Sequence, residues 1–237
     1  MIDLRLGNAY ELIKEVEDNS VNLIVIDPPY MMQKFGSVKK KGELFQHPAM
    51  KKLEYSEHTL RNGFDFSLFA EFERIQPFRN MYIFCNGILM QKIISFLYPQ
   101  GITCEILCWQ KTNPIPSFNF HYMNDIEYCL FICDKKSTLD FGDDVMRSVR
   151  ASHFFAYPLN QKYTTHPTEK PLKWVENLIL NSTQEDDLVL DCFAGSGTTA
   201  HACKKHNRRF IGFELDEEYY KMAQKRLANE VQGVLFV

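Results

Sequence analysis

Residues 188–203 read LVLDCFAGSGTTAHAC. An apolar run ends in Asp191, a turn carries Gly195 and Gly197, and a helical stretch begins at Thr198. A buried strand, a glycine turn and a helix in direct succession are the opening βα unit of an open, mostly parallel sheet. Glycine at the two turn positions permits positive φ and a close approach of backbone to a ligand. Bare N–H groups at the helix start favour electronegative ligand atoms. Nineteen residues beyond Gly195, at the end of the next apolar run, stands Glu214, which suits a ribose diol.

Two ligands fit this segment. Gly195-Ser196-Gly197-Thr198-Thr199-Ala200 satisfies G-x-G-x-x-A, and with Glu214 it imitates a dinucleotide fingerprint. Asp191 and Phe193 stand before the first glycine, however. A carboxylate there repels a pyrophosphate and welcomes an ammonium group. S-adenosylmethionine, zwitterionic at its methionine end and cationic at sulfur, is the better match. A tight turn with no ligand would leave Asp191, Phe193, both glycines and Glu214 as coincidence.

The same alternation runs through the chain. Strand-type runs occupy 2–6, 21–26, 80–84, 103–109, 126–133, 188–191 and 210–213. Helical patterns occupy 10–16, 66–75, 86–97, 171–180, 198–206 and 217–229, the last capped by Asp216. Short crossovers between apolar β-branched runs predict a doubly wound α/β domain over residues 1–237, Rossmann-like in plan. Two stretches break the rhythm. Residues 31–61 are polar and aperiodic, and residues 134–168 are irregular, with aromatics beside Arg147 and Arg150.

Composition narrows the function. The 237 residues are 45% hydrophobic and 24% charged, as in a soluble globular protein. No apolar run nears the roughly 18 residues needed to cross a bilayer, and residues 1–10 lack a signal-peptide pattern. The seven cysteines include no C-x-x-C pair, so reduced cytoplasmic thiols are expected, with no metal site. The net charge of −3 gives no global pull toward nucleic acid. Locally, Lys34 to Arg61 holds seven Lys or Arg against three Glu.

The run Val21 to Ile26 ends abruptly in Asp27-Pro28-Pro29-Tyr30. Proline has no N–H and a locked φ, so the chain leaves the strand stiff and extended. An acid and an aromatic ring are thereby held over the carboxyl edge, where open sheets bind ligands.

DPPY followed much later by D-x-F-x-G-x-G resembles the amino-group DNA methyltransferases, which methylate adenine N6 or cytosine N4. The order of the two motifs, with the irregular block between them, is similar to the family's permuted β-type arrangement. Trp109-Gln110-Lys111 with Pro114 resembles its W-x-K-x-x-P segment, and residues 166–171, HPTEKP, resemble its H-P-T-x-K-P segment. Gly7-Asn8-Ala9 resembles its G-D-A turn, with Asn8 in place of the usual Asp.

The resemblance implies roles for these residues. Asp27 and the Pro28 carbonyl would accept hydrogen bonds from the target amine, Pro29 would stiffen the pair, and Tyr30 would stack on a base turned out of the duplex. Asn8, Ala9, Asp27, Thr168, Lys170, Asp191, Phe193, Gly195, Ser196, Gly197, Thr198, Glu214 and Leu215 would line the S-adenosylmethionine site. Lys39, Lys40, Lys41, Arg147 and Arg150 would meet double-stranded DNA, with 134–168 as the target-recognition region. Asp at position 27 leans toward adenine N6. Cytosine N4, RNA adenine N6 and a non-catalytic partner subunit stay open, and an oxidoreductase using NAD leaves DPPY unexplained. Two protein partners also come into view, a second copy of the chain and a cognate restriction enzyme. Lys170 could equally begin a solvated helix, and Trp109 could equally belong to the core.

Overall fold

The computed structural model describes residues 1–29, 63–114, 122–134, 139–143, 149–159, 162–166 and 168–229. Tyr30, Lys39, Lys40, Lys41 and Arg147 lie outside the described residues. Eight strands are β1 (Ile2–Leu6), β2 (Leu23–Ile26), β3 (Asn80–Cys85), β4 (Glu105–Lys111), β5 (Ile126–Cys133), β6 (Phe154–Tyr157), β7 (Leu188–Asp191) and β8 (Arg209–Glu214). The helices of four residues or more are α1 (Ala9–Leu12), α2 (Leu68–Ile75), α3 (Gly87–Leu97), α4 (Leu172–Ser182), α5 (Thr198–Lys205) and α6 (Glu217–Asn229).

The strands form one sheet in the order β1-β8-β7-β2-β3-β5-β4-β6. Neighbours are parallel except where β5 meets β3 and β4. The central strands are apolar on both faces because helices cover both. Alternation along β2 shows how: Ile24 and Ile26 enter one core with Phe72 of α2 and Ile93 of α3. Leu23 and Val25 enter the other with Trp174 and Ile179 of α4 and Ala202 of α5. Successive side chains of a strand point to opposite faces, so one continuous apolar run seeds two cores. No helix of the described residues is long and apolar enough to cross a membrane.

The strand order also sets the site. From β7 the chain passes to β8 on one side, and from β2 it passes to β3 on the other. Adjacent strands that send their connections apart leave a crevice at their carboxyl ends. Asp191 is the last residue of β7, and Asp27 directly follows β2.

Element limits shift by one or two residues at several ends, with β2 starting at Leu23 rather than 21 and α2 at Leu68 rather than 66, and three further outcomes depart from the sequence reading. The helix expected over 10–16 is α1 followed by a tight turn over Ile13–Glu15. The strand expected over 103–109 lies two residues later, because pairing with β5 runs from Glu105 to Gln110. The irregular block 134–168 contains β6, which pairs in parallel with β4 and stacks Phe155 on Trp174 at 5.7 Å. Trp109 is core, buried and donating from Nε1 to the Tyr157 carbonyl at 2.9 Å.

Candidate active site

A cavity of about 420 Å³ opens at the junction of β7 and β2. That size falls within the roughly 300–1,000 Å³ range of small-molecule pockets. On its floor the glycine turn takes a shape other residues resist. Gly195 has φ 51° and Gly197 has φ 74°, both in the left-handed region. A Cβ on Gly197 would lie 2.9 Å from Ala223 Cβ, so this glycine also lets α6 pack against the turn. Gly195 N donates to Glu214 Oε2 at 2.7 Å, and Asp216 N donates to Glu214 Oε1 at 2.8 Å. Glu214 is thus fixed at the end of β8 with its carboxylate facing the cavity.

Asp191 is buried and accepts a hydrogen bond from Phe193 N at 3.0 Å. Burial pushes its carboxyl up to about 7, and the charges of Asp27 and Glu214 add to this, while hydrogen bonds from Thr199 and Phe193 resist it. Burial raises Glu214 as well, against hydrogen bonds from the backbone N–H groups of Asp216, Gly195 and Leu215. Raised carboxyls in an enclosed site favour a ligand that brings positive charge.

The side of the cavity at the end of β2 differs. Lys170 is buried, not solvated, and its Nζ meets Asp27 Oδ2 at 2.5 Å. Nζ also stands 3.4 Å from Glu127 Oε2, while Glu127 Oε1 meets Lys111 Nζ at 2.9 Å. Burial pulls Lys170 down, but Asp27 and Glu127 together outweigh it and hold the ammonium above its usual range. For Glu127 burial acts upward and is outweighed by Lys170 and Lys111, leaving it lowered. The ion pair reaches across 143 residues, from the HPTEKP segment to the strand end.

A second long tie braces the cavity wall. Arg226 of α6 is buried, and its NH1 donates to Thr198 Oγ1 at 2.9 Å and pairs with Glu169 Oε1 at 3.2 Å. The guanidinium thereby joins the glycine turn to the HPTEKP segment. Glu169 in turn accepts from the backbone N–H groups of Tyr163 and Thr164. His166 packs edge-on to Tyr219 at 4.3 Å and is held neutral, lowered to about 4 chiefly by burial and further by Lys170.

The sequence-derived residues converge here. Asn8, Ala9, Asp27, Pro29, Thr168, Lys170, Asp191, Phe193, Gly195, Ser196, Thr198, Glu214 and Leu215 all line the cavity. Gly197 and Pro28 stand behind it, Pro28 buried. Arg150 is elsewhere, bonded through Nε to Asn181 Oδ1 at 2.9 Å and through NH2 to the Asp140 carbonyl at 2.7 Å. Asn8 caps α1 through Oδ1, which accepts from Tyr10 N at 3.0 Å. Sequence reasoning missed the roles of Glu127 and Arg226. Neither sits in a motif: Glu127 begins an apolar strand, and Arg226 is one basic residue on a charged helix. His166 and Glu169 were within reach, since the HPTEKP segment contains both.

Chemically the site is acid-rich. Five carboxylates, Asp27, Glu169, Asp191, Glu214 and Asp216, and one lysine line it among the described residues. That lysine is already engaged by Asp27. A pyrophosphate would meet repulsion here, whereas an ammonium, a diol or an amine finds acceptors. The residue set fits a zwitterionic nucleoside with a cationic centre.

Comparison with known proteins agrees. The family model described as DNA methylase, for N6 and N4 methyltransferases, matches residues 21–225. The type II methyltransferase M2.LlaDCHI of Lactococcus lactis subsp. cremoris is 29% identical, over 93% of this chain and 87% of the relative. M2.DpnII of Streptococcus pneumoniae is 28% identical, over 94% and 88%. The crystal structure of an M1.HpyAVI–SAM complex shares 30% identity and superposes with a TM-score of 0.60, covering 95% of this chain and 100% of the other.

Proposed function

The chain belongs to this DNA methylase family, and from that membership we propose that it transfers a methyl group from S-adenosylmethionine to adenine N6 in double-stranded DNA. The observation that carries the reading is the pairing of two carboxylates across one crevice, Asp191 ending β7 and Asp27 following β2. Asp191 suits the cofactor's ammonium group and Glu214 its ribose diol. When bound, the cofactor supplies a methyl group activated by its sulfonium centre.

Residues of this chain supply alignment and charge. An exocyclic amine is a poor nucleophile, because its lone pair is delocalised into the base. Asp27 and the Pro28 carbonyl accept its two N–H bonds and favour a pyramidal nitrogen with an available lone pair. The two prolines hold both acceptors at fixed angles, which is where most of the gain in alignment arises. Positive charge grows on nitrogen as the new N–C bond forms, and Asp27 stabilises it. The surplus proton then leaves by way of Asp27 to water. Tyr30 stacks on the extruded base. Lys39, Lys40, Lys41, Arg147 and Arg150 meet the DNA, and a second copy of the chain and a cognate restriction enzyme are partners to be sought.

Incubation with a labelled methyl donor and a mixture of DNA and RNA, followed by nucleoside analysis of each, tests the proposal. Label in N6-methyladenine is expected. Label in N4-methylcytosine would move the target base, label only in RNA would move the substrate, and no label at all would sink the proposal.

A further inference from the structure

Lys170 stands between two carboxylates that treat it unequally. Nζ is 2.5 Å from Asp27 Oδ2 and 3.4 Å from Glu127 Oε2. Glu127 Oε2 is buried, and its long contact with Lys170 is not a well-aligned hydrogen bond, so it has acceptor capacity to spare among the described residues. The other oxygen of Glu127 is held by Lys111 at 2.9 Å. Lys111 lies two residues beyond Trp109, which is the register partner of Glu127 across β4 and β5. The side chains of Lys111 and Lys170 are only 7% and 6% exposed, so neither ammonium can turn to bulk water.

Under the function proposed above, on which this inference rests, Asp27 must receive an N–H of the target amine and then face its growing positive charge. An ammonium seated on Oδ2 is a second cation competing for one carboxylate. It must yield, and being buried it needs another acceptor. We propose that Glu127 is a positioning residue that takes Lys170 over from Asp27 when the target amine arrives, with Lys111 holding Glu127 in place for the exchange. No atom leaves the site: Lys170 exchanges one carboxylate for the other, and the buried charges stay balanced throughout. The exchange also accounts for a cost. A second carboxylate beside the Asp27–Lys170 pair carries a desolvation penalty, and a simple anchor for Asp27 would not need it.

Two measurements decide the matter. The first is the crystal structure of Asp27→Asn, which removes the charge at position 27 and keeps its shape. Lys170 Nζ is expected to leave position 27 and close on Glu127 Oε2 from 3.4 Å to about 2.9 Å. An ammonium that stays on the substituted amide, or turns into the cavity, overturns the proposal. The second is single-turnover methyl transfer by Glu127→Gln, expected to fall roughly 10–100-fold, as for a misplaced reacting group, with cofactor affinity within about twofold of the parent. Transfer at the parent rate, or a loss matched in cofactor affinity, overturns it. Should the parent chain transfer no methyl group to any base, the proposed function fails, and the Asp27→Asn structure still judges the exchange.

Discussion

Two aspartates close neighbouring strands of one sheet, and their surroundings are opposite. Asp191 at the end of β7 is buried among neutral donors, with no ion pair among the described residues, and its carboxyl is pushed up to about 7. Asp27 after β2 is partly exposed and holds a buried lysine at 2.5 Å. A carboxylate without a protein cation is completed by a ligand that carries one. A carboxylate that already has a cation can accept an amine only by exchange. Under the proposed function, one crevice therefore separates into a half that binds the cofactor and a half that acts on the target.

The largest test of that division is at Asp27. Asp27→Ala should lower methyl transfer by about 10²–10³-fold or more, as loss of a preorganised electrostatic group does. Cofactor affinity should stay within about threefold, since the cofactor half is untouched. Steady-state kinetics beside equilibrium binding checks both, and equal losses would erase the distinction.

The converse substitution is next in size. Asp191→Asn should weaken cofactor binding by roughly 10–100-fold, the worth of a hydrogen bond to a charged group. Thermal stability should hold or rise, because the cost of burying the carboxylate disappears. Thermal melts with and without cofactor read both effects.

A pH series sharpens the same point. Only ionised Asp191 attracts an ammonium group. Cofactor affinity should therefore fall as pH drops through about 7, approaching about tenfold per unit well below that value. The stability effect has the opposite sign. The folded carboxyl holds its proton more tightly than an unfolded one, so the cofactor-free protein should lose stability as pH rises from the ordinary aspartate range through about 7. Asp191→Asn should remove both dependences, measured by titration and by melting across the series.

The smallest expected effect concerns the turn the two halves share. Gly197→Ala faces a φ of 74° and a contact of 2.9 Å with Ala223 Cβ. It should destabilise the fold by about 1–3 kcal/mol, read by denaturant unfolding. Gly195→Ala keeps the backbone strain of a φ of 51° but meets its nearest neighbour outside the turn at 3.5 Å, so its loss should be the smaller of the two.

Much of this arrangement was legible in the sequence, and the illegible parts have a physical reason. The limits of β5, β7 and α6 follow from apolar runs bounded by turn residues or from a capped run, which local chemistry alone marks. Both aspartates were readable because glycine and proline mark the turns beside them. β6 was not, since Phe154–Tyr157 lacks the buried aliphatic run of β7 and its strand character comes from pairing with β4, a partner more than forty residues away. Glu127 and Arg226 were hidden for a related cause. A buried charge is identified by its partner, and Lys170 and Glu169 are brought to them only by the folded sheet. Tyr30, Lys39, Lys40, Lys41 and Arg147 lie outside the described residues, so their roles rest on the sequence.

One titration tests the division of the crevice most directly. S-adenosylmethionine is titrated by calorimetry into the parent, Asp27→Ala and Asp191→Asn at one pH above 7. The expected result is near-parent affinity for Asp27→Ala and a loss of roughly tenfold or more for Asp191→Asn. Equal losses in both variants, or a loss confined to Asp27→Ala, would contradict it.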